Sequence, residues 1–165
     1  MEVFRDPGGP EVSEKVREIL LNPDYSIDPV TELLLFSAAR SQLMAENVLP
    51  GLRKGVVVIL DRFYDSTTAY QGYGRESISL DEIHKMNKVA SHKREPDLTI
   101  YMKVPLEEAQ KRMGTDVPEK LRKACQISIM FPVEDDADAL TIKASIDSIV
   151  GNIADKRYTF NITEM

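Results

Sequence analysis

Cysteine is nearly absent. The 165 residues hold one, Cys125, so no internal disulfide can form and no cysteine cluster can bind a metal. Cys125 itself reads as a small core side chain. Long apolar runs are missing too: no stretch approaches the ~20 residues that cross a bilayer as a helix, and the opening MEVFRDPGGPE lacks the apolar centre of a secretory signal. Positive charge is in deficit. A formal net charge of -6 argues against broad contact with nucleic acid or an anionic membrane, while leaving room for a local basic pocket around one phosphate. His84 and His92 lie eight residues apart with no carboxylate at matching spacing, so no metal site is assigned to them. Glu134-Asp135-Asp136 lacks the spacing of an EF-hand loop and reads as a solvated turn. There is no internal repeat and no low-complexity tract. What is present is ordinary for a globular chain, 42% hydrophobic and 29% charged, in a length that suits one domain over residues 1–165. A reducing, cytoplasmic setting is the expectation.

Val3-Phe4 is a short apolar pair that runs into Arg5-Asp6-Pro7-Gly8-Gly9-Pro10, where proline and glycine dictate a loop. Val12, Val16, Ile19 and Leu20 then share one helical face, with a start near Ser13-Glu14 and an end at Asn22-Pro23. Asp28-Pro29 opens a second helix, expected to stop at Pro50-Gly51. Its apolar positions go nearly all the way round, which predicts burial against a sheet. Gly55 and the run Val56-Val57-Val58-Ile59-Leu60 predict a strand covered on both faces. Ser79 to Val89 reads as a helix, Leu98 to Met102 as a strand, and Pro105-Leu106-Glu107-Glu108 as the start of another helix. Further on, Gln126 to Val133 is a candidate strand. Ile142, Ile146, Ile149 and Ile153 form a helical stripe, and Tyr158, Phe160 and Ile162 alternate as in an edge strand. Strands alternating with helices predict a doubly wound α/β sheet.

In such sheets ligands bind beyond the carboxyl ends of the strands. Asp61-Arg62 stands at one such end. A bare Asp-Arg pair is ordinarily a surface pair beside a turn, but this one leads into Asp65, Ser66, Thr67, Thr68, Tyr70, Gln71, Gly72, Gly74 and Arg75. Read as a loop, that segment offers a guanidinium fork for phosphate, hydroxyls, an amide for a base edge, and glycines for close approach. Phe36 and Arg40 are four apart on one helical face. Taken singly they are core and solvated charge; together they can sandwich and hydrogen-bond a planar heterocycle.

The combination of Arg5-Asp6-Pro7-Gly8-Gly9, LLLFSAAR (Leu33–Arg40), DRFYDSTTAYQGYGR (Asp61–Arg75) and PDLTIYM (Pro96–Met102) resembles bacterial thymidylate kinase, in order and spacing, from about Glu2 to Met113. The resemblance implies a P-loop-kinase-like three-layer α/β fold with a parallel sheet. It implies a homodimer, and transfer of the γ-phosphoryl group of ATP, with Mg²⁺, onto dTMP to give dTDP. Carried over, Phe36 would stack on thymine, Arg40 would meet its carbonyl edge and Gln71 would read the base. Tyr70 would lie by the sugar, with Ser66 also on the substrate. Arg62 would hold the acceptor phosphate, and Asp61 would assist Mg²⁺ or acceptor positioning. The Phe36, Arg40 and Gln71 set favours a pyrimidine over the bases of other nucleoside monophosphates.

Two departures accompany the likeness. The family begins with a central strand, a G-x-x-x-x-G-K-[ST] loop and a helix, whereas no Gly-Lys-Ser or Gly-Lys-Thr occurs in these 165 residues. The fold is therefore expected to be incomplete at its N-terminus, with two neighbouring strands unpaired unless something fills the gap. After Lys111-Arg112-Met113 the family's arginine-bearing lid is replaced by Gly114-Thr115-Asp116-Val117-Pro118, making residues 114–165 divergent. Smaller differences are Asp6 in place of glutamate and Pro10 in place of threonine. The expectation is a thymidylate-kinase-like protein impaired in this form, or else a non-catalytic nucleotide-binding or dimerisation remnant that keeps only the dTMP half-site.

Overall fold

The β-branched run after Gly55 builds the strand on which the rest is arranged. In the computed structural model, which describes residues 1–102, 125–130 and 160–162, strand β2 covers Val58–Asp61. Val56 and Val57 fall outside it because the Val56 N–H turns back to the Gly51 carbonyl, at 3.0 Å. The Val3-Phe4 pair belongs to β1 (Glu2–Arg5), which lies parallel to β2 with Arg5 level with Asp61. This register carries the loop after Arg5 to the end of β2, where the Asp6 N–H donates to the Asp61 carbonyl at 3.0 Å.

Strands β3 (Leu98–Met102), β4 (Cys125–Met130) and β5 (Phe160–Ile162) complete a five-stranded sheet of order β1-β2-β4-β3-β5. The candidate strands at Gln126 and at Phe160–Ile162 are both found, the latter at a sheet edge. Two strands depart from the direction of the parallel sheet expected. β4 runs antiparallel to both β2 and β3, and β5 antiparallel to β3. β1, β2 and β3 thus keep a common direction, while β4 takes the place between β2 and β3. The expected pair of unpaired neighbours is closed by this reversed strand, which satisfies the backbone donors and acceptors of both.

Helix α1 (Glu11–Leu21) starts two residues earlier than expected, with Pro10 at the cap and no side-chain cap bond. Ser13 is buried instead, its hydroxyl donating to the Ala39 carbonyl at 2.7 Å, and its small size lets α1 approach α2. Helix α2 (Pro29–Leu43) is capped by Asp28, which accepts from the N–H groups of Val30 and Thr31. Such a cap contributes about 1 kcal/mol. Pro50 does not end this helix. A π-helical segment, Met44–Val48, widens the turn before it and leads into α3 (Leu49–Arg53), where Pro50 sits in the first turn and needs no N–H donor. Leu43, Met44, Val48 and Leu52 from this continuous rod pack with Val58 and Leu60 of β2, Phe63, and Met130 of β4 as the core cluster. Each such side chain contributes roughly 1.5–3 kcal/mol through burial. Burial is not all-round, for Leu34 is exposed.

The segment after Asp61, expected as a loop, is helical. α4 covers Tyr64–Thr67 and continues as a π-helical segment, Thr68–Gly74. Buried Phe63 anchors its start. At Gly72 a Cβ would come within 2.8 Å of Leu80 Cδ2 and 3.2 Å of Ile83 Cδ1, so glycine is what lets the widened turn settle on α5 (Leu80–Ala90). A capping box between Ser79 and Glu82 starts α5. Among the described residues no helix is long and apolar enough to cross a membrane. The helix start at Pro105, the lid region from Lys111 and the isoleucine stripe at 142–153 lie outside the described residues.

Candidate functional site

Arg62 leaves the end of β2 with φ 71°, in the left-handed region that costs a side-chain-bearing residue energy. The turn swings the chain out of the strand and into α4. It lays the Arg62 guanidinium over the Tyr70 ring, 5.7 Å from its centroid, with Nη1 3.4 Å from the Tyr70 hydroxyl. Asp61 is exposed beside it, its carbonyl held by Asp6, and Ser66 is half-buried in α4.

Two facing stripes make up the rest of the site. Along α2, four-residue spacing aligns Glu32, Phe36 and Arg40. Along the helix after Phe63, the same spacing aligns Thr67, Gln71 and Arg75. They are clamped together at both ends. At one end Arg40 Nη2 donates to Thr67 Oγ1 at 2.8 Å. At the other, Gln71 Nε2 donates to Glu32 Oε1 at 2.8 Å, and Arg75 Nη2 to Glu32 Oε2 at 3.0 Å. Phe36 stands between the clamps, half-buried. The backbone carbonyl of Gln71 is fixed in turn by Ser77, through its N–H and its hydroxyl.

The Arg40 end is buried and dense with charge. Arg40 is 2% exposed; its Nε donates to Asp6 Oδ2 at 2.5 Å and its Nη1 to Asn87 Oδ1 at 3.3 Å, with the Phe63 ring 5.6 Å from the guanidinium carbon. Three of its five N–H donors are therefore committed to the protein, leaving two. Asn87 also donates to the Thr68 hydroxyl and the Tyr64 carbonyl, tying α5 to the same knot. Burial raises the Asp6 pKa above the usual carboxylate value, with Arg40 opposing the shift, and Asp6 Oδ1 has no hydrogen-bond partner among the described residues. Burial also pushes the Tyr64 phenol up to about 12, helped by Asp65. The loop that delivers Asp6 is closed by Glu14, which accepts from the Gly9 N–H and from Arg5.

The structure thus brings Phe36, Arg40 and Gln71 together between the stripes, and sets Arg62 and Tyr70 in contact at the strand end. Asp6 and Thr67, named in the sequence motifs without a role of their own, complete the arrangement together with Glu32 and Asn87, which the sequence did not single out. Glu32 had a readable signal, since it lies one turn before Phe36 on the same face. Asn87 had none, because its partner Arg40 is 47 residues away. A cavity of about 250 Å³ is lined by Asn87 together with Tyr64, His84 and Lys88, and none of the expected site residues lines it. The stripes, which hold polar groups and a flat ring together, are the better candidate site.

The family model for thymidylate kinase matches residues 2–147. The thymidylate kinase of Thermoanaerobacter sp. strain X514 is 44% identical over 121 residues, covering 73% of this chain and 59% of the relative. That of Chlorobaculum parvum is 50% identical over 106 residues, covering 64% and 48%. The crystal structure of thymidylate kinase from Ehrlichia chaffeensis superposes with a TM-score of 0.50 at 39% identity, over 53% of this chain and 48% of that one. The chain spans 48% to 59% of the length of these curated relatives.

Proposed function

Because the chain belongs to the thymidylate kinase family, we propose that it binds dTMP and serves its ATP-dependent phosphorylation to dTDP, supplying the acceptor half of the site. The P-loop-kinase type of α/β fold agrees with the solved relative. The observation that carries the reading is the pair of clamped stripes with Phe36 between them. A flat ring flanked by an amide and a guanidinium suits a planar base with hydrogen-bonding edges. Phe36 stacks on the pyrimidine, while Arg40 and Gln71 address its edge. Tyr70 and Ser66 lie toward the sugar. Arg62, already poised over Tyr70, takes the acceptor phosphate through charge-assisted bonds.

Mg²⁺ with ATP would supply the transferable phosphoryl group and neutralise developing charge. Asp61 fits a share in holding the ion, because it is exposed at the strand end and such ions take one or two carboxylates along with nucleotide phosphates. Among the described residues no three His, Cys, Asp or Glu side chains gather as a stand-alone metal cluster. The donor side does not fit. The 165 residues contain no Gly-Lys-Ser or Gly-Lys-Thr to cradle the ATP phosphates, so this chain taken alone is expected to transfer phosphate poorly or not at all. A non-catalytic dTMP-binding role is favoured by β4, which fills the sheet between β2 and β3 with a strand free of any such motif. Exposed apolar side chains on the first two helices, Val12, Ile19 and Leu34, fit a homodimer. The same reading carries a cytoplasmic location and neither a nucleic-acid nor a membrane partner.

Calorimetric titration with dTMP and with thymidine tests the reading. The parent should hold dTMP more tightly than thymidine. Arg62→Ala should weaken dTMP by on the order of 1.5–3 kcal/mol and leave thymidine nearly unchanged. Equal losses for the two ligands would remove Arg62 from the phosphate role. ADP release from MgATP and dTMP separates a working kinase from a binding remnant.

A further inference from the structure

We propose that Glu32 is a positioning residue that sets which pyrimidine the site accepts, by locking the side-chain amide of Gln71 in one orientation. The inference rests on Gln71 facing the base, as proposed above. A carboxylate can only accept hydrogen bonds, so Glu32 Oε1, 2.8 Å from the Gln71 side chain, obliges that amide to present its NH₂ group. Gln71 is 3% exposed and the Glu32 side chain 15%, so water does not readily replace either partner. With one hydrogen of Nε2 given to Glu32, the remaining edge of the amide carries Oε1 as acceptor beside the second Nε2 hydrogen as donor. That order complements an imide edge, N3–H next to a carbonyl, as in thymine and uracil. Cytosine presents the reverse, an N3 acceptor next to an amino donor, and would be satisfied only by a flipped amide.

The Gln71 backbone cannot compensate, because Ser77 binds its carbonyl twice and Gly72 is packed against α5. Arg75, the other partner of Glu32, is more than half exposed, so its ion pair contributes little to this locking. The orientation is therefore assigned to Glu32 and not to the charge pair.

Affinities for dTMP, dUMP and dCMP, measured by calorimetry on the whole chain, test this. The parent should favour dTMP over dCMP by about tenfold or more, the worth of a mismatched hydrogen-bonding edge. Glu32→Gln keeps the shape but can both donate and accept, so either orientation of Gln71 is satisfied. Its dTMP preference over dCMP should fall to about threefold or less, while the ratio of dTMP to dUMP, which share the imide, stays at the parent value. Arg75→Met should keep the parent ratio of dTMP to dCMP, whatever it does to overall affinity. A Glu32→Gln variant with undiminished discrimination overturns the inference, as does an Arg75→Met variant that loses it equally. A parent that binds dTMP and dCMP alike, with dTMP still sensitive to Arg62→Ala, overturns the inference alone. A parent that binds no nucleotide overturns the functional reading as well.

Discussion

Replacing Asp6 by alanine should be among the most damaging single changes available in this chain, for a reason that does not depend on any ligand. Asp6 and Arg40 meet at 2.5 Å with side chains 0% and 2% exposed, so neither salt nor water screens the pair. A guanidinium is a permanent cation in proteins. Among the described residues, removing Asp6 leaves a buried guanidinium held by neutral groups, Thr67 and Asn87. Losing one partner of a buried pair costs about 3–5 kcal/mol, against roughly 5–15 kcal/mol of total stability for a typical domain. With an m-value of about 2 kcal/mol/M, the urea midpoint should fall by roughly 1.5–2.5 M. The double variant Asp6→Leu, Arg40→Met should recover much of that loss, since well-packed apolar replacements of buried pairs are often neutral or better. A midpoint shift below about 0.5 M for Asp6→Ala would refute the reasoning.

Much of the arrangement was legible because it depends on local rules. The four-residue spacing of Phe36 and Arg40 is a helical fact, and the Val56–Leu60 run reads as a covered strand, which its last three residues form. The Asp65–Arg75 segment reads as a loop because its glycines are common in loops, yet it is helical. Here Gly72 serves a helix–helix contact, which depends on Leu80 and Ile83 and cannot be seen from neighbours in sequence. Pro50 was misread for a similar reason, since the π-helical widening at Met44–Val48 removes the clash that a regular turn would impose. Arg40 illustrates the limit most clearly. Its chemistry was recognisable, but its burial against Asp6 and Asn87 brings together three chain segments whose pairing no periodicity encodes.

Two further changes bear on the base and on the sheet. Phe36→Leu keeps most of the apolar volume and should alter stability by less than about 1.5 kcal/mol. It should weaken dTMP binding by roughly three- to tenfold, the worth of lost ring stacking; unchanged affinity in a calorimetric titration would make Phe36 plain core. Ser128→Ala concerns β4, where Ser128 stands opposite Leu60 of β2 and Thr99 of β3. The residue is 0% exposed and its hydroxyl has no partner among the described residues. A hydroxyl desolvated without a compensating bond costs about 1–3 kcal/mol, and alanine removes that cost while leaving the ladder hydrogen bonds, which are made by the backbone. The variant should therefore be more stable than the parent by about 1 kcal/mol in urea unfolding, after allowance for the small void left behind. A loss of 1 kcal/mol or more would mean that the hydroxyl is bonded after all, and that β4 is joined to its neighbours by more than its backbone.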